Sequence, residues 1–238
     1  MARTETTKTA PPVYELRITL RGTKPPIWRR VAVPSDITLA ELHDIIQIVM
    51  GWDDCHLHQF VVKCPERKPS SMQLRELLLK GMVGEMAELM RDERVFVDLS
   101  NEDLDMEGED EREVRLRELC RKVKSKLLYE YDFGDGWEHT IEVQKIHPPE
   151  QGVRYPVCLA GKRACPPEDC GGAWGYYDML EALADPKHER HEEIAEWMGT
   201  GFDPEAFDVE GINESLRRWR RHPRAVRDRT KRPRKRRG

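Results

Sequence analysis

The sequence predicts an α+β fold: a β-grasp-like mixed sheet packed on one main helix, with a C-terminal helical segment. Three patterns carry that reading. Apolar and polar residues alternate with period two near the N-terminus and again across residues 127–144, the signature of strands with one buried face. An apolar stripe with 3-4 spacing lies between strands at 39–50. Helix-compatible stretches broken by proline and glycine follow residue 172.

Taken in order, residues 1–12 are polar, contain Pro11 and Pro12, and are expected to be disordered. Tyr14, Leu16, Ile18 and Leu20 alternate with charged and polar residues and form the first strand. Residues 22–26 turn, stiffened by Pro25 and Pro26, into a second strand at 27–33. Thr38-Leu-Ala-Glu41 is a capping box opening a helix whose stripe is Leu39, Leu42, Ile45, Ile46, Val49 and Met50; Gly51 ends it. A third strand is expected at 57–63, a helix at 72–90 and a short strand at 95–99. Residues 98–113 hold nine acids and one base and read as a solvated acidic loop insert. A short helix at 116–123 precedes the clearest hairpin, 127–133 and 137–144, closed by Gly134-Asp135-Gly136. Helices are expected at 174–184, 188–198 and 209–219.

The whole is one α+β domain over residues 13–219, flanked by the N-terminal segment and a basic, disordered tail at 220–238. A chain of 238 residues suffices for such a core, although only 38% is hydrophobic and 35% is charged. No run of 18 apolar residues occurs, so no membrane span is expected, and residues 1–12 lack a signal-type apolar stretch. The six cysteines are irregularly spaced, which favours reduced thiols and a cytoplasmic location.

The net charge of −4 hides an asymmetry. From Arg217 onward the chain carries 13 Lys/Arg and one acid, while the remainder is strongly acidic. Such a tail suits the phosphates of DNA or RNA, through Arg220, Arg221, Arg224, Arg227, Arg229, Lys231, Arg232, Arg234, Lys235, Arg236 and Arg237. A solvated tail folding back on the acidic body is the plainer alternative.

Candidate chemistry gathers on the hairpin and on the loop 158–172. Asp132 and Asp135 flank the reversal, where aspartate also serves as a turn former. His139 shares a strand face with Trp137, Ile141 and Val143; it is either a satisfied core histidine or a base or ligand lining a pocket. His56 and His58, two apart on an expected strand, would point the same way, as a metal ligand pair does. Cys158, Cys165 and Cys170 lack the paired close spacing of a structural zinc site, and Glu168 and Asp169 either cap the next helix or line a site. The hypothetical catalytic set is Asp132, Asp135, His139 and Asp169, and the hypothetical metal set is His58, His139 and Cys165, with a divalent metal as cofactor. His188 and His191 lie on an acidic helix and read as solvated. No dinucleotide fingerprint, phosphate loop, nucleophile elbow, helix-turn-helix or zinc-finger spacing is present.

The motifs Tyr129-Glu-Tyr-Asp-Phe-Gly-Asp-Gly-Trp-Glu-His139, Ala164-Cys-Pro-Pro-Glu-Asp169 with Gly171-Gly172, Gly175-Tyr176, and Gly51-Trp52 with His56-Leu-His58-Gln-Phe60 closely resemble the plasmid ORF-three-like family. That family is named after an open reading frame of an Ri plasmid and is also described as an insertion-element passenger protein. The resemblance covers about residues 13–218. It implies a compact α+β fold and association with mobile elements, and it implies no established reaction. Cys170 stands where the family usually carries another residue, so a zinc site using it would not be a family trait. Two functions follow as expectations. One is a cytoplasmic, mobile-element-associated binding module whose basic tail contacts nucleic acid. The alternative is a metal-dependent hydrolase or nuclease with its site on the 129–139 hairpin and the 158–172 loop.

Overall fold

The structure is a computed structural model and describes residues 10–63, 76, 79–80, 93–100, 106–199 and 201–221. Of the expected N-terminal disorder at 1–12, residues 1–9 lie outside the described residues, as do most of the helix at 72–90 and the tail beyond 221. Pro12, by contrast, is tied to the body, its carbonyl accepting the Ser35 N–H at 2.8 Å.

The alternation at 14–20 becomes β1 (Val13–Leu20), with Leu16, Ile18 and Leu20 enclosed in the core. β2 (Trp28–Pro34) pairs antiparallel with it. Between the strands and the next loop stands α1 (Leu39–Met50). Its capping box is formed as expected: the Glu41 backbone N–H donates to Thr38 Oγ1 at 3.2 Å, and the Thr38 N–H donates to Glu41 Oε2 at 2.8 Å. Gly51, at φ 91°, terminates it in the left-handed conformation that costs glycine least.

The remaining elements are β3 (His58–Lys63), β4 (Glu93–Val97), β5 (Glu109–Asp110), α2 (Leu116–Leu119), β6 (Lys126–Tyr131), β7 (Trp137–His147), β8 (Val157–Lys162), α3 (Gly172–Ala184), α4 (His191–Met198) and α5 (Val209–Arg221). The strands form one eight-stranded sheet in the order β5-β4-β3-β6-β7-β1-β2-β8. Among the described strands the β4–β5 pair alone is parallel, which makes the sheet mixed. The fold is mixed α+β, with the main helix on the sheet and helices closing the C-terminal end.

The α1 stripe packs with Leu16, Ile18, Val31, Phe60, Tyr129, Ile141 and Val143 in one apolar cluster. Each such side chain, fully enclosed, contributes about 1.5–3 kcal/mol. α5 packs on α1 and β8, and its buried Trp219 donates its indole N–H to Asp44 on α1 at 2.9 Å. At the C-terminal end of α1, buried Arg29 of β2 donates to Val49 O (2.7 Å), Trp28 O (3.0 Å) and Lys162 O (3.1 Å). A cation at a helix C-terminus complements the dipole there. Burial nonetheless lowers the Arg29 pKa below its ordinary value.

Three local expectations change. The acidic insert is partly built into the fold: Glu109–Asp110 forms an edge strand, and Glu111 is buried against His58 rather than solvated. The helix expected at 116–123 is a single turn, Leu116–Leu119. The reversal expected at Gly134-Asp135-Gly136 begins earlier, with positive φ at Asp132 (55°) and at Gly136 (68°). No helix among the described residues is long and apolar enough to cross a membrane.

Candidate metal centre

Three segments, distant in sequence, meet beyond the ends of β3 and β6. The first follows α1. Gln47 on the last turn accepts the N–H groups of Gly51 and Trp52 at its carbonyl, while its side-chain oxygen accepts from Asp54 N at 3.1 Å. Asp54 sits at φ 54°, and this bend delivers Cys55 and His56 before β3 begins.

The second segment is the hairpin reversal. The Asp132 N–H donates to Leu57 O at 2.9 Å, extending the β3–β6 pairing. Asp132 Oδ1 accepts from Gly134 N (2.9 Å) and Asp135 N (3.2 Å), an Asx-type turn that explains aspartate at this position. Its other oxygen faces His56.

The third segment lies between β8 and α3. Pro166 O accepts from Trp52 Nε1 at 2.9 Å. Glu168 Oε1 accepts from Asp53 N (2.9 Å) and from the Tyr131 hydroxyl (3.0 Å). Asp135 Oδ2 accepts from Gly171 N at 3.1 Å, locking hairpin to loop. Gly172 is required there: a Cβ would stand 2.4 Å from Asp135 O, and φ is +67°. No side chain caps α3, so Asp169 is not a helix cap.

At the meeting point stands His56 Nε2, with Asp169 Oδ1 at 3.0 Å, Asp132 Oδ2 at 3.6 Å and Glu168 Oε2 at 3.8 Å. The Asp169 oxygen is close but badly angled, and neither His56 Nε2 nor Glu168 Oε2 makes a hydrogen bond although both atoms are buried. Leaving such atoms without a partner costs about 1–3 kcal/mol each. His56, Asp132 and Asp169 place one donor atom each within 4.8 Å of one another, and so do Cys55, His56 and Glu168. One imidazole nitrogen among carboxylate oxygens is a ligand set for a divalent cation.

The structure thus brings Asp132 and Asp169 together, with Asp135 beside them holding the Gly171 junction. It places the other candidates elsewhere. His139 is fully enclosed, its ring edge-on to Trp52 at 5.2 Å, and Nδ1 lies 3.4 Å from Tyr129 O. Burial pushes its pKa down to about 3, against a smaller opposing effect of the Tyr129 backbone bond. His58 is buried, paired with Glu111 at 2.8 Å and stacked on His43 at 3.5 Å between ring centroids. His43 also bonds Tyr129 Oη and Asp54, both at 2.8 Å; burial, then its neighbour His58, lower its pKa. Cys165 packs against the apolar cluster, and burial raises its thiol pKa strongly. Cys158 and Cys170 are pushed up by burial to about 11 and about 12. None of these three thiols joins a donor group among the described residues. His191 bonds Ala182 O and His188 accepts from Arg190 N, so both histidines serve the α3–α4 turn. Arg220 donates to Arg154 O and Tyr155 O at the end of α5, and Arg221 closes that helix; Arg224 and the basic residues after it lie outside the described residues.

Sequence reasoning under-weighted His56 and Glu168. Treating 56–58 as strand made the two histidines look equivalent. In the structure β3 starts at His58, so His56 lies two residues before the strand and the alternation does not link them. The signal available was the Gly51-Trp52 stop, which marks the following residues as loop.

The plasmid pRiA4b ORF-3-like protein family matches residues 12–211. The chain belongs to this family. It is similar to an uncharacterized protein, y4hQ, of Sinorhizobium fredii (strain NBRC 101917 / NGR234), at 36% identity over 206 residues, 86% of this chain and 90% of that protein. It is also similar to the crystal structure of a protein of unknown function, MM3350, from Methanosarcina mazei Go1. There the identity is 36% and the TM-score 0.67, over 85% of this chain and 98% of that one. Family membership accounts for the shared fold, and neither relative's name states an activity.

Proposed function

We propose that this pRiA4b ORF-3-like protein is a metal-dependent hydrolase centred on His56, Asp132, Glu168 and Asp169. The observation that carries the reading is the pair of buried atoms without hydrogen bonds, His56 Nε2 and Glu168 Oε2, 3.8 Å apart and facing carboxylates. A divalent cation there would satisfy both, and it would supply Lewis acidity and lower the pKa of a bound water. The chain's own residues do the rest. His56 and Asp132 are held by loop and hairpin and fix the position. Glu168 has Oε1 engaged by two donors, which holds Oε2 in place to face the ion. Asp169, whose side chain is 72% exposed, faces the side from which substrate arrives. Elemental analysis and calorimetric titration with Zn²⁺ and Mg²⁺ test the reading. The expected result is one ion per chain, lost in His56→Gln, with hydrolysis of a chromogenic ester or phosphodiester panel lost alongside. A wild-type chain that binds neither ion overturns it.

The basic run supports a second reading, that of a nucleic-acid contact in a mobile-element-associated protein. Four arginines, at 217, 218, 220 and 221, already lie on α5, and the cationic sequence continues beyond it. The two readings are compatible, since a phosphodiester substrate would be concentrated by such a tail.

A further inference from the structure

We infer that Cys55 is a ligand of the same ion, and that the centre therefore takes a thiophilic cation such as zinc or cobalt rather than magnesium. This rests on the metal-centre reading and specifies which chemistry occupies it. Cys55, His56 and Glu168 each offer one donor atom, and these lie within 4.8 Å of one another. Donors around a tetrahedral ion at ~2.0–2.3 Å bond lengths stand roughly 3.5 Å apart, so side-chain rotations closing about 1 Å complete the set. Both atoms left without hydrogen bonds, His56 Nε2 and Glu168 Oε2, belong to residues of this set.

Tyr131 organises it. Its hydroxyl donates to Glu168 Oε1 at 3.0 Å and accepts from the Cys55 N–H at 3.1 Å, with Cys55 Sγ 4.0 Å from the same oxygen. One phenol therefore fixes the backbone of one donor and the carboxylate of another. Tyr131 itself is buried against Trp52, ring centroids 4.9 Å apart. Cys55 is exposed, whereas Cys120 and Cys158 are buried and Cys165 and Cys170 intermediate. The thiol at the metal site is thus the one open to solvent among the described cysteines. Binding converts the thiol to a coordinated thiolate and releases one proton to solvent; no electron is transferred. The Asp132 and Asp169 oxygens alone with His56 would suit a hard cation, and sulfur shifts the preference toward softer ones.

The test uses the full chain loaded with Co²⁺, which reports sulfur ligation by a thiolate-to-cobalt charge-transfer band. Wild type should show the band. Cys55→Ser, at an exposed position and checked for fold by circular dichroism, should lose it while still binding Co²⁺. That binding should be weaker by at least the ~10-fold that even an outer-shell partner of a metal is worth. Zn²⁺ binding to wild type should release one more proton than binding to Cys55→Ser, read from the buffer dependence of the calorimetric heat. Co²⁺ binding without the band, or a band that survives Cys55→Ser, overturns the assignment and leaves the metal centre standing. Failure of Co²⁺, Zn²⁺ and Mg²⁺ to bind at all removes the centre itself.

Discussion

His56 and His139 put the same side chain to opposite uses. His56 stands in a loop with its Nε2 turned toward three carboxylates; His139 is sealed in the core beside Trp52 and Tyr129. His139's place on the apolar face was legible from alternation along 137–143, and the structure encloses the ring fully, with Nε2 making no hydrogen bond. The consequence is a pH dependence whose sign can be derived. Unfolded, the imidazole titrates near ~6.5. Folded, its pKa is depressed to about 3, so below pH ~6.5 the unfolded chain binds a proton that the folded chain refuses. Stability contributed by this residue is therefore present above that pH and lost as pH falls. Between pH 7 and pH 5 the loss is about 2 kcal/mol from this one group. His139→Phe should remove that component: urea denaturation at the two pH values should show wild type losing more stability than the variant. His43, also depressed, leaves a residual slope in both. Equal losses in the two proteins would show that His139 does not stay neutral.

Between elements, what builds the site is the junction of two loops. Local signals found where α1 starts and stops because capping is local. Thr38 and Glu41 need only one turn of chain to bond, and Gly51 needs only its own φ. Loop-to-loop contacts have no such period, so Asp135 and Gly171, 36 positions apart, could be suspected of meeting but not shown to meet from sequence. Asp135 illustrates the ambiguity. It looked like a turn former, yet Asp132 takes that task and Asp135 bonds across to the next loop. Gly172 seals this contact, which makes Gly172→Ala a direct probe. The added Cβ would meet Asp135 O, and the positive φ alone costs roughly 1–3 kcal/mol. The variant should unfold at a lower urea concentration, and its metal affinity should fall because Glu168 and Asp169 shift away from His56. Unchanged affinity in a destabilised variant would mean that the loop's position does not depend on this junction.

At the scale of the whole molecule, sheet order decides what meets. β6 inserts between β3 and β7, so the hairpin reversal lies beside the loop that leads into β3. β8, on the far edge beside β2, sends its following loop back to the same end. Strand order is set by long-range pairing, which no local pattern encodes, and this is why a strand–strand–helix–strand opening suggested the fold class without the site. Charge is also distributed at this scale. α5 is fastened to the body by Trp219 and Asp44, so the cationic sequence leaves from a fixed point rather than from a loose end. Residues 222–238 add nine Lys/Arg against one acid. If they contact phosphates, each ion displaced contributes to a steep salt dependence, with a slope of about −0.9 per phosphate neutralised on duplex DNA. The full chain should bind duplex DNA of arbitrary sequence with an affinity that collapses as salt rises. A chain ending at residue 221 keeps the Trp219 anchor, so it should hold its denaturation midpoint and its metal stoichiometry while losing most of that affinity. Fluorescence anisotropy across a salt series measures both slopes. A truncated chain that binds DNA as tightly, with the same slope, would move the contact onto the folded body, where the four arginines of α5 would be the next residues to replace.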